Sequence, residues 1–239
     1  LPAVSAADSP ASDSYDWWKN ALILEARPGS NRNIGILQAQ LPISYSNRHM
    51  FFTDLRLQGA QEHQVNQGSY EYNLGLGLRQ TALNRDLVWG LYGYFDSRSS
   101  PYNNRFQQST LGGELFFENL EFRANGYLTE DRREIITTQF SPNLIGNTLQ
   151  IRQTQLVESP MDGFDVEMGM DINPAGIPVW LYGGYYQFNE GGFPEVSGPR
   201  LRTEAHYPAD FIAEGSRLTF GGEWQKDNIR DSSLFGTVR

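Results

Sequence analysis

Three histidines, His49, His63 and His206, are the only side chains of this chain that titrate near neutral pH unaided. They lie far apart, and no two share a metal-ligand spacing. There is no cysteine, which removes disulfides, thiolate metal sites and thiol nucleophiles. No serine occupies a G-x-S-x-G elbow. His63, with Asp96 or Asp162 as neighbours, is the one combination that could serve a hydrolase at a rim. A lone loop histidine is ordinarily just solvated. In DGFDVE the carboxylates of Asp165 and Glu167 alternate along one segment, which is not glycosidase geometry. Neither catalysis nor a metal or cofactor is expected.

The polar residues recur in a different pattern, one side chain in two. In 70–79, Tyr70, Tyr72, Leu74, Leu76 and Leu78 alternate with Glu71, Asn73, Gly75, Gly77 and Arg79. In 87–96, Leu87, Trp89, Leu91 and Phe95 oppose Tyr92, Tyr94 and Asp96. In 164–172, Phe164, Val166, Met168, Met170 and Ile172 oppose Asp165, Glu167, Gly169 and Asp171. In 217–225, Leu218, Phe220 and Trp224 oppose Arg217, Thr219, Glu223 and Gln225. A pleated strand imposes this period of two. Segments of about ten residues, broken at Gly, Pro, Asn, Asp or Ser, predict twelve strands. Their ranges are 18–27, 33–44, 49–60, 69–80, 86–97, 105–117, 120–130, 162–173, 177–188, 199–207, 215–226 and 232–239. In the stretch 131–161, Ile135–Phe140 and Thr148–Val157 could pair as extra strand.

The net charge of −9, with no basic cluster, excludes nucleic acid as a partner, because phosphates demand Lys and Arg. No run of about 18 apolar residues exists, so no transmembrane helix is expected. A membrane strand needs only about 9–11 residues of alternating polarity. The opening LPAVSAADSPASDS reads as a flexible leader over 1–16, either the start of a mature chain after signal cleavage or an exposed extension.

Alternation alone also fits a soluble β-sandwich, whose charged face would meet water. Connection lengths favour a barrel. Turns after even-numbered strands are mostly short (45–48, 81–85, 118–119, 173–176), and those after odd-numbered strands are mostly longer (61–68, 98–104, 131–161, 189–198). Outer-membrane barrels sort their loops this way. The exceptions are the short Pro28–Arg32 connection and the long one after the tenth strand, running to about Gly215.

Several stretches resemble a known family. LVWGLYGYFD followed by STLGGELFFENLEFRANGYL is similar to the inverse autotransporter β-domain of intimin and invasin. So is DGFDVEMGMDINPAGIPVWLYGGYYQF, running on to SRLTFGGEWQ, with LGLGLRQ and QLPISYS fitting the same pattern. The likeness covers about residues 33–239. It implies a twelve-stranded barrel in a bacterial outer membrane that anchors and exports a carboxy-terminal adhesin passenger through its lumen. The stretch departs from that pattern in showing no passenger or linker helix, in a longer 131–161 connection, and in a last strand, SSLFGTVR, about four residues short of a span, as expected of either a cut chain or a stand-alone relative.

A barrel over 17–239 assigns the faces. Asp54, Arg56, Glu71, Arg79, Asp96, Glu114, Glu121, Arg123, Asp165, Glu167, Asp171, Arg217 and Glu223 would line the lumen. Leu74, Leu76, Trp89, Leu91, Val166, Met168, Phe220 and Trp224 would face lipid, where unpaired polar groups cost several kcal/mol. Four arginines against nine carboxylates make an acidic wall. It would be a cation-favouring lumen, a polar track for a threaded segment, or simply cross-linking that stiffens the barrel. Inner-face glycines (Gly75, Gly77, Gly90, Gly112, Gly169, Gly221) would make room inside or permit curvature. Trp17, Trp18, Tyr45, Tyr102, Tyr185 and Tyr186 are candidates for interfacial belts. Met168→Arg should cost far more than Glu167→Gln. The partners implied are outer-membrane lipid and an attached passenger. The alternatives are a stand-alone porin-like channel and a soluble β-rich binding module, the latter distinguished by staying in aqueous buffer rather than partitioning into detergent.

Overall fold

The computed structural model describes residues 21–46, 48–63, 67–82, 87–117, 119–173, 176, 178–229 and 231–239. Fourteen strands run in chain order: β1 Ala21–Arg27, β2 Arg32–Tyr45, β3 His49–Glu62, β4 Gln67–Ala82, β5 Leu87–Ser99, β6 Arg105–Phe117, β7 Leu120–Thr129, β8 Glu134–Ile145, β9 Thr148–Glu158, β10 Asp162–Asp171, β11 Val179–Asn189, β12 Val196–Pro208, β13 Arg217–Asp227 and β14 Asp231–Val238. Twelve close a barrel in the order β1-β14-β13-β12-β11-β10-β7-β6-β5-β4-β3-β2. Every neighbouring pair is antiparallel.

β8 and β9 pair only with each other, from Glu134↔Glu158 to Ile145↔Thr148. β7 bypasses them to pair with β10, from Tyr127↔Gly163 to Leu120↔Met170. The 131–161 connection is therefore a projecting hairpin, and it joins the two segments in which extra pairing was anticipated.

Closure has a physical reason. Each strand carries a polar and an apolar face, and an open sheet would leave an edge of unpaired backbone groups. Within a bilayer only closure satisfies them all. The closing seam is short. Ala26 pairs with Val238, Gly29 bridges Phe235, and Gly236 N donates to Pro28 O at 2.8 Å. Arg27 reinforces it by donating to Glu223 at 2.7 Å across β14.

The exterior is apolar. Leu22, Leu24, Leu74, Leu91, Leu111, Met168 and Leu201 all present more than half their surface, Leu22 as much as 77%. Few soluble monomers tolerate such a continuous patch. The sandwich reading is set aside by this surface together with the closed topology.

Loop sorting takes a different form from the expected one. Ladders on the outer end run on to Glu62↔Gln67, Ser99↔Arg105 and Phe188↔Val196, which shortens the connections anticipated at 61–68, 98–104 and 189–198. Only the β7–β10 connection stays long, while the β12–β13 connection on the opposite end spans 209–216. A strand such as β4, with 16 residues, exceeds the about 9–11 that cross a bilayer. Its ladder continues into the medium.

Candidate functional site in the barrel lumen

The inward faces build the site in three parts. The first is a packed layer at the end holding the turns after β2, β4, β6, β10 and β12. Phe52 begins β3, Arg79 closes β4, Glu114 and Phe116 close β6, Trp180 begins β11 and His206 closes β12, and all are buried. Arg79 is its centre. Arg79 Nε donates to Glu114 Oε1 at 2.6 Å, with both side chains 1% exposed. Its guanidinium lies 4.9 Å from the Phe52 ring and 5.8 Å from that of Phe116, and it donates to Gln40 Oε1 at 3.3 Å. Trp180 stacks on Tyr182 at 6.0 Å. His206 Nδ1 meets Thr219 Oγ1 at 3.0 Å.

The second part is an arginine–carboxylate network. Glu167 on β10 sits within reach of three guanidiniums: Arg202 at 2.6 Å, Arg200 at 3.5 Å and Arg123 at 3.9 Å. Arg202 also pairs with Glu204, and Glu204 accepts from Arg239 at 2.8 Å. Planar forks suit such shared, multidentate pairing.

The third part combines tyrosines with amides. Tyr92 OH donates to Asn125 Oδ1 at 2.7 Å. Asn125 Nδ2 donates to Asp165 at 3.1 Å, and Tyr127 OH donates to the same carboxylate. Asp96 accepts from Asn73 and Thr110, each at 2.6 Å. Asp54 accepts from Gln38 at 2.8 Å.

The inner glycines have a definite use. Each of four sits directly across the ladder from an inward ring: Gly77 from Phe52, Gly75 from Tyr94, Gly112 from Tyr92 and Gly169 from Tyr182. A Cβ at Gly112 would lie 2.1 Å from the Tyr92 ring, and one at Gly77 2.2 Å from Phe52. Rings fold flat over their glycine partners, so these positions make room for the wall's own aromatics.

Two cavities among the described residues have volumes of about 300 and 170 Å³. Both are bordered by Gln38, Arg56, Arg123, Glu167 and Arg200. Several buried wall atoms have no hydrogen-bond partner among the described residues, including Asn73 Oδ1, Arg56 Nε, Arg123 Nε and Arg200 Nε.

Of the thirteen residues anticipated for the lumen, Asp54, Arg79, Asp96, Glu114, Glu121, Asp165, Glu167 and Glu223 are buried, and Arg56, Glu71 and Arg123 are half-buried. Asp171 is half-buried and accepts from the Asn173 amide at 2.9 Å, capping a turn. Arg217 has inward parity but is exposed at the first residue of β13, so it marks the rim. On the other face, Leu74, Leu76, Leu91, Met168 and Phe220 are exposed, while Trp89, Val166 and Trp224 are half-exposed. Tyr186 departs from the belt assignment. It points inward, 8% exposed, with its hydroxyl 3.3 Å from Asp227, because adjacent residues of a strand cannot share a face. Tyr45 and Tyr185 are exposed, and Trp17 and Trp18 lie outside the described residues.

The wall carries more arginine than the sequence count placed there. Arg27, Arg200, Arg202 and Arg239 border a cavity together with Glu25 and Glu204, and sequence reasoning placed none of them. The signal was present: Arg200, Arg202, Glu204 and His206 alternate with Leu201, Thr203, Ala205 and Tyr207.

The histidines form no constellation. His63 Nδ1 meets Ser30 O at 3.1 Å, His49 meets Ser46 Oγ at 2.8 Å, and Asp162 instead accepts from Thr129 at 2.8 Å.

A closed antiparallel barrel, apolar outside and polar within, defines a β-barrel of the bacterial outer membrane. Residues 20–176 match the inverse autotransporter β-domain, and the chain belongs to that family. It is an outer-membrane anchor and translocator barrel, a class of membrane barrels and not of enzymes. Among curated proteins, none matches the chain in sequence. Similar solved structures include a membrane protein described under "Unveiling the Mechanism Behind the in-meso Crystallization of Membrane Proteins", at TM-score 0.61 and 15% identity, covering 90% of this chain and 80% of that one. The translocator domain of autotransporter NalP from Neisseria meningitidis gives TM-score 0.42 and 11% identity, covering 92% and 85%. The KdgM porin gives 0.48 and 8%, covering 92% and 97%. The first of these shows the same fold.

Proposed function

We propose that this barrel anchors an attached segment and passes it through the lumen as extended chain, performing no chemistry itself. The observation that carries the reading is the set of buried wall atoms left without partners, donors and acceptors alike. An extended chain brings one N–H and one C=O per residue, and inside a barrel these need partners. The wall at Asn73 Oδ1 and Arg56 Nε offers them. The packed layer around Arg79 would have to part around such a chain and would seal the pore when the chain is absent. An anchor is favoured over a stand-alone porin because the described residues at that level include the buried large side chains Phe52, Arg79, Glu114 and Trp180.

The absence of cysteine makes the test clean. A passenger segment appended after Arg239, carrying one cysteine, is oxidised against a second cysteine placed at Asn73 or at its outward neighbour Leu74. Cross-linking at Asn73 alone is expected. Equal cross-linking at both positions, or large steady conductance of the appended protein in planar bilayers, overturns the threading model in favour of a porin.

A further inference from the structure

We propose that the barrel wall carries a carboxylate-binding site where the two lumenal cavities meet, formed by Arg56, Arg123 and Arg200. All three border both cavities, and the Nε–H of each is buried without an acceptor. The carboxylate beside them, Glu167, is already engaged by Arg202 at 2.6 Å. It leaves Arg200 at 3.5 Å and Arg123 at 3.9 Å, and their second carboxylates, Asp165 at 3.6 Å and Glu121 at 3.8 Å, also stand at the edge of pairing distance, so no Nε–H is taken up. Arg56 donates to Gln58 Oε1 at 2.9 Å, and no carboxylate lies within pairing distance of it among the described residues.

Around the smaller cavity, arginines outnumber glutamates six to four among the described lining residues. This local excess runs against the chain's net charge of −9. Guanidiniums removed from water demand acceptors, and a planar carboxylate offers two oxygens to such forks. A cavity of about 300 Å³ is ample for the group, since one water occupies about 30 Å³. Two sources supply the same chemistry: a small carboxylate solute, or an Asp or Glu side chain of the protein's own chain. The site itself holds whether or not a segment is threaded.

The probe is trifluoroacetate, followed by fluorine NMR with the full chain refolded in detergent and its folded state checked by heat-modifiable gel mobility. The expected result is saturable line broadening, at least fivefold weaker with Arg56→Gln and unchanged with Arg105→Gln at the exposed rim. Should Arg56→Gln not fold, displacement of the probe from the native protein decides: acetate must compete far better than chloride at equal ionic strength. Absence of broadening, joined to a thermal midpoint lowered by Arg56→Gln and restored by Arg56→Lys, assigns the site to a carboxylate of the chain itself. Equal broadening by native protein and Arg56→Gln means adventitious binding and overturns the proposal. So does absence of broadening with an unmoved midpoint, or with a loss that lysine does not restore.

Discussion

Replacing Arg79 with alanine should be among the most destabilising single changes in the barrel. Arg79 and Glu114 are each 1% exposed and joined at 2.6 Å. Removing one partner of a buried ion pair leaves an uncompensated charge and costs about 3–5 kcal/mol. Loss of the Phe52 ring contact at 4.9 Å adds about 0.5–2 kcal/mol. The sum approaches the about 5–15 kcal/mol that whole domains commonly have, so the variant should unfold at much lower urea. The cycle with Glu114 separates charge from shape. Arg79→Met with Glu114→Gln removes both charges while keeping most of the volume, and it should recover at least half the loss, because the stranded carboxylate is gone. The assay is equilibrium urea unfolding in lipid vesicles, followed by tryptophan fluorescence and gel mobility, with bilayer conductance on the same variants. Arg79→Ala should also raise conductance, since it empties the centre of the packed layer. A loss below about 1 kcal/mol for the single variant, or a double variant as unstable as the two singles together, would refute the assignment of Arg79 as keystone.

Four further outcomes are expected. Met168 is 60% exposed on the outer face, so Met168→Arg should cost about 2–4 kcal/mol near mid-bilayer; a nitroxide at Met168 should be quenched from lipid far more than one at Glu167. Glu167→Gln should not be mild, as alternation alone suggested, because it half-releases a guanidinium held at 2.6 Å; a loss on the order of 2–4 kcal/mol should appear in the same urea assay. Gly112→Val must displace the Tyr92 ring that would lie 2.1 Å from its Cβ, at about 1–3 kcal/mol, whereas Gly35→Val, with nothing near its Cβ, should be nearly neutral. Joining Arg133 to Ser159 by a short turn deletes the β8–β9 hairpin. It loses the hydrogen bonds of Glu158 with Ser100 at 2.7 Å and Asn104 at 3.0 Å, and it should change barrel stability by less than about 1 kcal/mol, read as an unchanged heat-modifiable band.

The sequence by itself determined the strands and their two faces. Period two in 70–79, 87–96 and 164–172 is a local property, since each residue's face follows from its neighbour's. The ladder accordingly carries Glu71, Asn73 and Arg79 on one side and Leu74 and Leu76 on the other. Ordered motifs were enough to indicate the family. Where local reading stopped at a strand's face, mistakes followed. Tyr185 and Tyr186 were grouped although one must face in. Arg217 has the inward parity read from sequence, and its place as the first residue of β13, which parity does not give, leaves it exposed.

Only the tertiary structure decided which inward groups meet, because closure and stagger set contacts between residues far apart in the chain. Arg27 reaches Glu223 across the seam at 2.7 Å, and Arg202 and Glu167, 35 positions apart, share a bond. No alternation pattern encodes those distances. The same holds for charge. Counting wall residues by parity gave an acidic lumen, yet which groups keep a spare donor depends on partners, and at the meeting of the two cavities the Nε–H groups of Arg56, Arg123 and Arg200 find no acceptor among the described residues. The glycines repeat the lesson. Their spacing is visible in sequence, but that Gly75, Gly77, Gly112 and Gly169 each lie beneath an inward ring became definite only once the ladder register placed ring and glycine opposite each other.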